Sequence, residues 1–575
     1  MISCLYLRSA SAAAPLRIGV LIDGFRLSRA FRQVLQDIQA SDFARLELVV
    51  LNCQPQTTIA PPKNRFSRYL RLLLNSSFRQ ALLYSAYQKW DQRNAKHPHP
   101  LEEVDVTDVL GNIPRLDVVP ITKRFVHRFP PESIAALRAH NLDVLLRFGF
   151  NILRGEVLQA ARYGIWSFHH GDNDFYRGGP AMFWEVVENN PCSGVILQVL
   201  NEKLDDGYIL CKSLFATALG LSRNRNVVDP FWGTTHLVIR KLRELHECGW
   251  HSVQQHAVPP AEYRGRSAIY RVPTNYQMLK WLAPKISRKL MARPFRRDVI
   301  VYWRIALRRS DSQRLLTDPA EQWSNHKWLA SPRGHFYADP FLFKDEGQVW
   351  IFFEDYLYGT ERGRIACAAV QPDLSIGPII PCLELRHHLS YPAVFRHDGA
   401  IYMVPESSSN NTVDLYRAVD FPAAWKHEKT LFRQRAVDTT PLYRNGRWYF
   451  FTTLCDTPGA AVFSALFSSN ELTGEWVQHP CSPISTDVRG ARSAGAIQQS
   501  DGRLYRIVQD CSENYGRRLH VREILELTPS SYRERHIRSV EPDWEKGLSG
   551  VHTYTFCNGI EAVDAMNFQP RRSIL

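Results

Sequence analysis

The sequence predicts an α/β domain followed by an all-β domain built as a five-bladed propeller, and three observations carry that reading. Up to about residue 250, apolar runs of strand length alternate with stretches of helical period. From Phe336 onward, short aromatic strands separated by glycine turns replace those helical periods. At 575 residues, with 45% hydrophobic content, the chain also exceeds what one hydrophobic core usually supports.

In chain order, residues 1–15 read as a ragged N-terminus, because the apolar run CLYL is shorter than an export segment and RIGVLI follows at once. LRIGVLIDGF is a strand, SRAFRQVLQDIQ a helix with Phe31, Val34, Leu35 and Ile38 on one stripe, and LELVVLN a second strand: a β-α-β unit. Residues 54–114 are polar and proline-bearing and give no clear pattern. LDVVPI is then a strand, PPESIAALRAHN a helix opened by proline, and LDVLLRFGF a buried strand ending at Gly149. RGEVLQAARYG reads as a helix, IWSF as a strand, AMFWEVVEN as a helix, and SGVILQVLNEKLDDGYIL as one long strand. The expected division is an α/β domain over 16–250, a basic linker over 251–330 and the propeller over 331–575.

The propeller rests on four segments that align on one another: YADPFLFKDEGQVWIFFED, SYPAVFRHDGAIYMVPES, DTTPLYRNGRWYFFTT and ARSAGAIQQSDGRLYRIVQD. Each has a small or proline-bearing start, an apolar strand, a turn at Gly347, Gly399, Gly446 or Gly502, and an aromatic strand ending at Glu354, Glu406, Thr453 or Asp510. A weaker fifth unit is GVHTYTFCNGIEAVDAMNF, and VIVYWRIALRR is a candidate to close the ring. A β-sandwich of hairpins is the competing arrangement, and the shared turn register favours blades.

The 11 cysteines are odd in number, scattered and never spaced as CxxC, which fits a reducing cytoplasm better than a disulfide framework. No apolar stretch is long enough to span a bilayer. The net charge of +14 asks for an anionic partner. Residues 281–309 gather Lys285, Arg288, Lys289, Arg293, Arg296, Arg297, Arg308 and Arg309 among apolar side chains. That pattern suits an interfacial helix on an anionic membrane, with Trp281, Leu282 and Leu290 inserting, and equally a linker whose arginines cover apolar surface. It would place the protein in the cytoplasm, peripheral on the inner membrane face. A nucleic-acid partner is not expected, because no recognisable module accompanies the charge.

The chemistry concentrates in SFHHGDNDFYRGGP, residues 167–180, a polar glycine-rich loop at the carboxyl end of a strand, where open α/β sheets bind ligands. His169 is the acid-base candidate, and Asp205 in LDDGYIL, on the next long strand, the carboxylate to orient it. The spacing of the HHGDND cluster matches no zinc or calcium signature, so no metal is expected. A purely structural loop, with His169 capping a turn and Asp205 solvated, is the competing interpretation.

The order S-F-H at 167–169, Y-R-G-G-P at 176–180, F-W-E at 183–185, G-V at 194–195 and D-D-G at 205–207 resembles the formyltransferases that use 10-formyltetrahydrofolate. That family includes the methionyl-tRNA, glycinamide ribonucleotide and sugar N-formyltransferases. The resemblance implies an α/β Rossmann-like formyltransferase domain with 10-formyltetrahydrofolate as formyl donor. It matches His169 to the catalytic histidine and Asp205 to the catalytic aspartate, and makes LLRFGFNIL, with Phe148, Gly149 and Phe150, the border of the folate pocket together with Asp205. Arg177 and Gly178 would hold the loop against an anionic substrate or against the sheet edge. The family's asparagine is Ser167 here, a donor of shorter reach, and His170 or Asn173 would have to fill the gap at the formyl oxygen. His170 would otherwise contact the acceptor.

The second half resembles five-bladed family-43 glycosidases and, more closely, the propeller-like N-terminal domain of plant glucosamine inositolphosphorylceramide transferases. That likeness matches Asp339 and Asp438 to the carboxylates at blade starts and adds Glu406 and Arg492 to the funnel lining. The glycosidases' glutamate acid is replaced by ARSAG, which favours a glycan-binding propeller over a hydrolase. Together these imply formyl transfer to an amino sugar on a nucleotide or lipid carrier. A catalytically silent carbohydrate-binding protein and a propeller glycosidase are the alternatives.

Overall fold

A seven-stranded sheet organises the first half of the chain, and its order explains where a ligand can reach it. In the computed structural model, residues 2–54, 81–93, 98–203, 207–259, 261–292, 298–318, 321–455 and 462–575 are described. The chain divides into two compact units, Met1–Phe295 and Arg296–Leu575.

In the first unit, strands β1 (Leu16–Ile22), β2 (Ala44–Asn52), β3 (Arg115–Val118), β4 (Val144–Arg147), β5 (Ile165–His169), β6 (Cys192–Val199) and β7 (Tyr208–Ala216) lie in the order β7-β6-β5-β4-β1-β2-β3. From β3 to β5 every pairing is parallel, and β6 and β7 add antiparallel strands at one edge. Helix α1 (Arg29–Ala40) starts where Ser28 accepts the Phe31 amide, and it buries Val34, Leu35 and Ile38. Phe31 leans instead toward the carboxyl ends of the strands, stacked 4.6 Å from Phe148.

Three expected elements differ. The run 193–210 is not one strand: β6 and β7 form an antiparallel hairpin whose arms are Cys192–Val199 and Tyr208–Ala216, and the polar stretch NEKLDDG separates them in the sequence. RGEVLQAARYG contributes only a single 3-10 turn, Glu156–Gln159, and AMFWEVVEN only Trp184–Glu188. In both, chain that must turn back to the sheet within a few residues has no room to propagate a helix.

The N-terminus is not ragged. Ile2–Tyr6 is a 3-10 turn with Ile2 and Tyr6 buried, the Ser9 hydroxyl lies 2.8 Å from His246 Nδ1, and the Ala10 amide donates to Glu247. Nor is 251–330 a free linker, because its residues divide between the two units. Helix Asn275–Ala292 packs on helix Leu82–Gln92 through an aromatic cluster that includes Tyr84, Tyr87, Phe183, Tyr270, Met278 and Trp281. Trp281 is 6% exposed and lies 5.5 Å from both Tyr87 and Phe183, so it is committed to this core rather than to a membrane. Val299–Arg309 is a strand of the second unit, with Arg308 donating to Glu561 at 2.5 Å. Lys289, Leu290, Arg293, Arg296 and Arg297 lie outside the residues whose side chains are described.

The second unit is the five-bladed propeller. Four blades begin at His335, Ser390, Ala436 and Arg492, each an antiparallel meander, and the fifth takes Val299–Arg309 between Ile560–Pro570 and Lys327–Trp328. The register from Val299 opposite Pro570 to Arg309 opposite Ile560 joins the two ends of the unit in one sheet. The aligned turns share one conformation. Glu346-Gly347, Asp398-Gly399, Asn445-Gly446, Asp501-Gly502 and Asn558-Gly559 all have positive φ at both positions. This is the left-handed pair that two-residue hairpins need, and Asn, Asp and Gly supply it at least cost.

Candidate functional site

Arg147, Ser167 and His169 come together at the carboxyl ends of β4 and β5. Ser167 pairs with Arg147 across the parallel ladder, and His169, two residues on, shares a face with Ser167. The Arg147 Nη1 donates to Ser167 Oγ at 3.1 Å, and its Nη2 to the Phe150 carbonyl at 3.1 Å. His169 is 8% exposed, with Nε2 2.8 Å from the Tyr176 carbonyl. A carbonyl only accepts, so Nε2 carries hydrogen and a neutral ring keeps its lone pair on Nδ1. Gly171 makes this contact possible: a Cβ there would meet His169 Nε2 at 2.8 Å and the Tyr176 carbonyl at 2.9 Å.

The loop after His169 is held by buried charge that the sequence reading missed. Lys212, on β7, lies 2.5 Å from Asp172 and 2.7 Å from Asp174, all three largely buried. Asp172 also takes the Asp174 amide on its carboxylate, and its carbonyl takes the Phe175 and Tyr176 amides. Asn173 is buried, with Oδ1 lacking a hydrogen-bond partner. Arg177 lies over the Tyr263 ring at 4.6 Å and donates to the Asn173 carbonyl. Gly178, at φ 91°, passes so close to Tyr270 that a Cβ would meet its carbonyl at 2.4 Å. Arg177 and Gly178 therefore tie the loop to residues 263–270.

His170 stacks on Phe231 with centroids 3.6 Å apart and planes 5° from parallel. Burial, then His169 and Arg223, push its pKa down to about 3, so it is a neutral packing group. Phe148 is stacked on Phe31, and Phe150 packs on Phe129 and His127. Gly149 lies against the end of β1, where a Cβ would meet the Asp23 amide at 2.4 Å. Asp205 lies outside the described residues. Its hairpin is fixed on both sides: Val199 pairs with Trp166 and with Tyr208, and Glu202 accepts the Gly155 amide at 2.8 Å. That bond joins the hairpin to the segment following Phe150.

In the propeller, Asp339, Glu406, Asp438 and Arg492 do converge. The first strands of three blades carry a register slip at equivalent places, and within the slips Asp339, Tyr391 and Asp438 have φ of 52°, 47° and 51°. Such strain costs about 1–3 kcal/mol per residue, and a bulge changes the direction in which its side chain points. The Tyr391 amide donates to Asp339, and the Asp339 amide to Asp564. Arg492 holds Asp438 through Nε and through Nη2 at 3.3 Å, and its Nη2 lies 3.8 Å from Glu406. The sequence reading missed His552 and Asp564. His552 Nδ1 is 2.6 Å from Asp564, its Nε2 is 3.5 Å from Asp339, and among the described residues these three form the group with metal-ligand convergence. Asp564 already accepts the His552 and Thr553 amides. Burial, with Asp438 and Asp564 nearby, raises Asp339 to about 6 against the pull of His552, and burial raises Glu354 well above the carboxylate range.

Comparisons with known proteins assign different relatives to the two halves of the chain. Residues 324–554 match the family model described as glucosamine inositolphosphorylceramide transferase 1, N-terminal. The chain is 38% identical over 206 residues to the protein of that name from Arabidopsis thaliana, covering 35% of this chain and 27% of that one. It is 27% identical over 197 residues to methionyl-tRNA formyltransferase of Synechococcus sp. (strain RCC307), covering 32% of this chain and 56% of that protein. The chain thus spans about a quarter of the first relative and about half of the second. Both relatives are transferases by name. Among solved structures, glycinamide ribonucleotide transformylase 1 from Symbiobacterium toebii is 15% identical with a TM-score of 0.26, covering 40% of this chain and 88% of that one. The Cellvibrio cellulosa α-L-arabinanase complexed with arabinohexaose is 14% identical with a TM-score of 0.28, covering 35% of this chain and 77% of that one.

Proposed function

We propose that the protein transfers the formyl group of 10-formyltetrahydrofolate to the primary amine of an amino sugar carried on a nucleotide or a lipid, and that its propeller binds glycan. The observation that carries the reading is His169 beside Ser167 at a strand's carboxyl end, in a unit similar to methionyl-tRNA formyltransferase. An imidazole, a hydroxyl and a guanidinium gathered there suit a formyl carbonyl, which needs hydrogen-bond donors at oxygen and a base beside the attacking nitrogen. In the reaction the amine lone pair attacks the formyl carbon, Nδ1 of His169 takes a proton from the amine, and the same proton is returned to the departing nitrogen of the folate. Asp205 would stabilise the imidazolium formed between those steps.

The propeller supports the sugar preference. The resemblance to family-43 glycosidases puts ARSAG, with Arg492, where their glutamate acid would stand, and Arg492 is paired with Asp438, which favours glycan binding over hydrolysis. Incubation with 10-formyltetrahydrofolate and a panel of aminated nucleotide sugars should give N-formyl product with at least one of them. Absence of product across the panel, with folate binding intact, would overturn the choice of acceptor.

The proposal extends to an anionic membrane surface, through a different face of the basic segment from the one Trp281 occupies. On helix Asn275–Ala292, Tyr276, Leu279 and Ile286 are 72%, 55% and 46% exposed and lie at helical spacing beside exposed Lys280 and Arg288. The protein should float with vesicles rich in phosphatidylserine and not with neutral ones. The L279D/I286D pair should abolish flotation, and unchanged flotation would exclude this face.

A further inference from the structure

We infer that Arg147 supplies the positive charge at the formyl oxygen and positions Ser167 there, in place of the amide that this site lacks; the inference rests on the formyl-transfer reading above. The hydroxyl of Ser167 has one hydrogen, and it points to the Phe168 carbonyl at 3.2 Å. In this arrangement Ser167 accepts from Arg147 at 3.1 Å and has no second hydrogen to offer a carbonyl oxygen. A serine at this position therefore does not do alone what a carboxamide does.

The guanidinium is the donor group beside it. Arg147 is the last residue of an otherwise apolar strand, Val144–Arg147, whose other three side chains are buried. Its Nη1 donates to Ser167 Oγ and its Nη2 to the Phe150 carbonyl, and these bonds orient its fork at the strand end. The Phe150 carbonyl is itself fixed. Phe150 has φ 61°, and its amide donates to Asp23 Oδ1 at 2.8 Å, a carboxylate also bonded by Asn52. Arg147 is thus held from two sides at the end of the strand that pairs with the one bearing His169.

The chemistry uses that charge as follows. As the amine nitrogen forms its bond to the formyl carbon, the carbonyl π electrons move to oxygen, and Arg147 stabilises that oxyanion. When the pair returns, the bond from carbon to the folate nitrogen breaks, and the proton removed from the amine through His169 ends on that nitrogen. Formyl amine and tetrahydrofolate are the only products. Preorganised donors of this kind change rate more than substrate affinity, by about 100-fold to 1000-fold for one donor.

Two measurements test it. Calorimetric titration with a stable 10-formyl folate analogue and with its counterpart lacking the formyl group should show tighter binding of the formylated one. R147M should erase that difference while retaining the counterpart. In kinetics, R147M should lower kcat about 100-fold or more with little change in KM for the folate, and S167N placed in the R147M background should recover part of the loss, which a folding defect would not permit. If the wild type binds neither analogue, the formyl-transfer reading falls and takes this inference with it. If the wild type discriminates and R147M discriminates equally, or R147M keeps full kcat, the inference alone falls.

Discussion

Replacing His169 by alanine is expected to lower formyl transfer about 100-fold to 10,000-fold, the range for a positioned acid-base group. The reason is the ring's orientation. With Nε2 donating to the Tyr176 carbonyl, the neutral ring offers Nδ1 to an amine, and no other described side chain of the loop can take over. His170 is stacked flat on Phe231 with its pKa pushed down to about 3, too weak a base to accept an amine proton. Asp172 and Asp174 are bound to Lys212. H169A should keep its fold, because the ring's partner is a backbone carbonyl at a loop and a small void there costs about 1–3 kcal/mol. Single-turnover formylation by H169A, with unfolding midpoints for both proteins, is the measurement. Turnover within a few-fold of wild type would remove His169 from the chemistry and leave the loop a structural one.

Legibility from sequence followed how local the determining forces are. The blade turns were readable because a two-residue hairpin demands left-handed backbone and only a few residue types supply it, so Asp398-Gly399 or Asn445-Gly446 announces itself within its own segment. The closing role of Val299–Arg309 was readable as a strand without neighbours. The hairpin of Cys192–Val199 and Tyr208–Ala216 was obscured because both arms are apolar, although the polar stretch NEKLDDG lies between them in the sequence.

Within the candidate site, the loop residues were legible and their supports were not. Arg147, Glu185 and Lys212 are single charges inside apolar segments, LLRFGF, MFWEVV and YILCKSL; Arg147 bonds Ser167, Lys212 bonds Asp172, and Glu185 is buried. An isolated charge in an apolar run is the signal that was available, since burial without a partner is too costly to be accidental. Trp281 shows the converse. Its basic surroundings suggested a membrane, but the partners that bury it, Tyr87 and Phe183, are distant in sequence and no window around residue 281 contains them. His552 and Asp564 were missed for the same reason, because only closure of the ring brings them to Asp339.

Glu185 should make the first unit lose stability as pH rises, in a way that glutamine at that position removes. The side chain is 2% exposed, with Oε1 lacking a hydrogen-bond partner. Burial pushes its pKa up to about 8; a backbone bond and Arg223 oppose the shift, and Asp172 and Glu188 add to it. In the unfolded chain the same carboxyl titrates near its ordinary value of 4.5. Between those two values the folded state holds a proton that the unfolded state has released, so the stability contribution is whole below about pH 4.5 and is lost as pH rises through about 8. A separation of that size corresponds to about 5 kcal/mol. E185Q, neutral at every pH, should match the wild type near pH 5 and exceed it at pH 8.5 by that order, read as a difference in denaturant midpoints whose sign is fixed in advance. Parallel curves for the two proteins from pH 5 to 8.5 would mean that the carboxyl is ionised in the folded state and neutralised by Arg223, and the buried neutral acid would have to be abandoned.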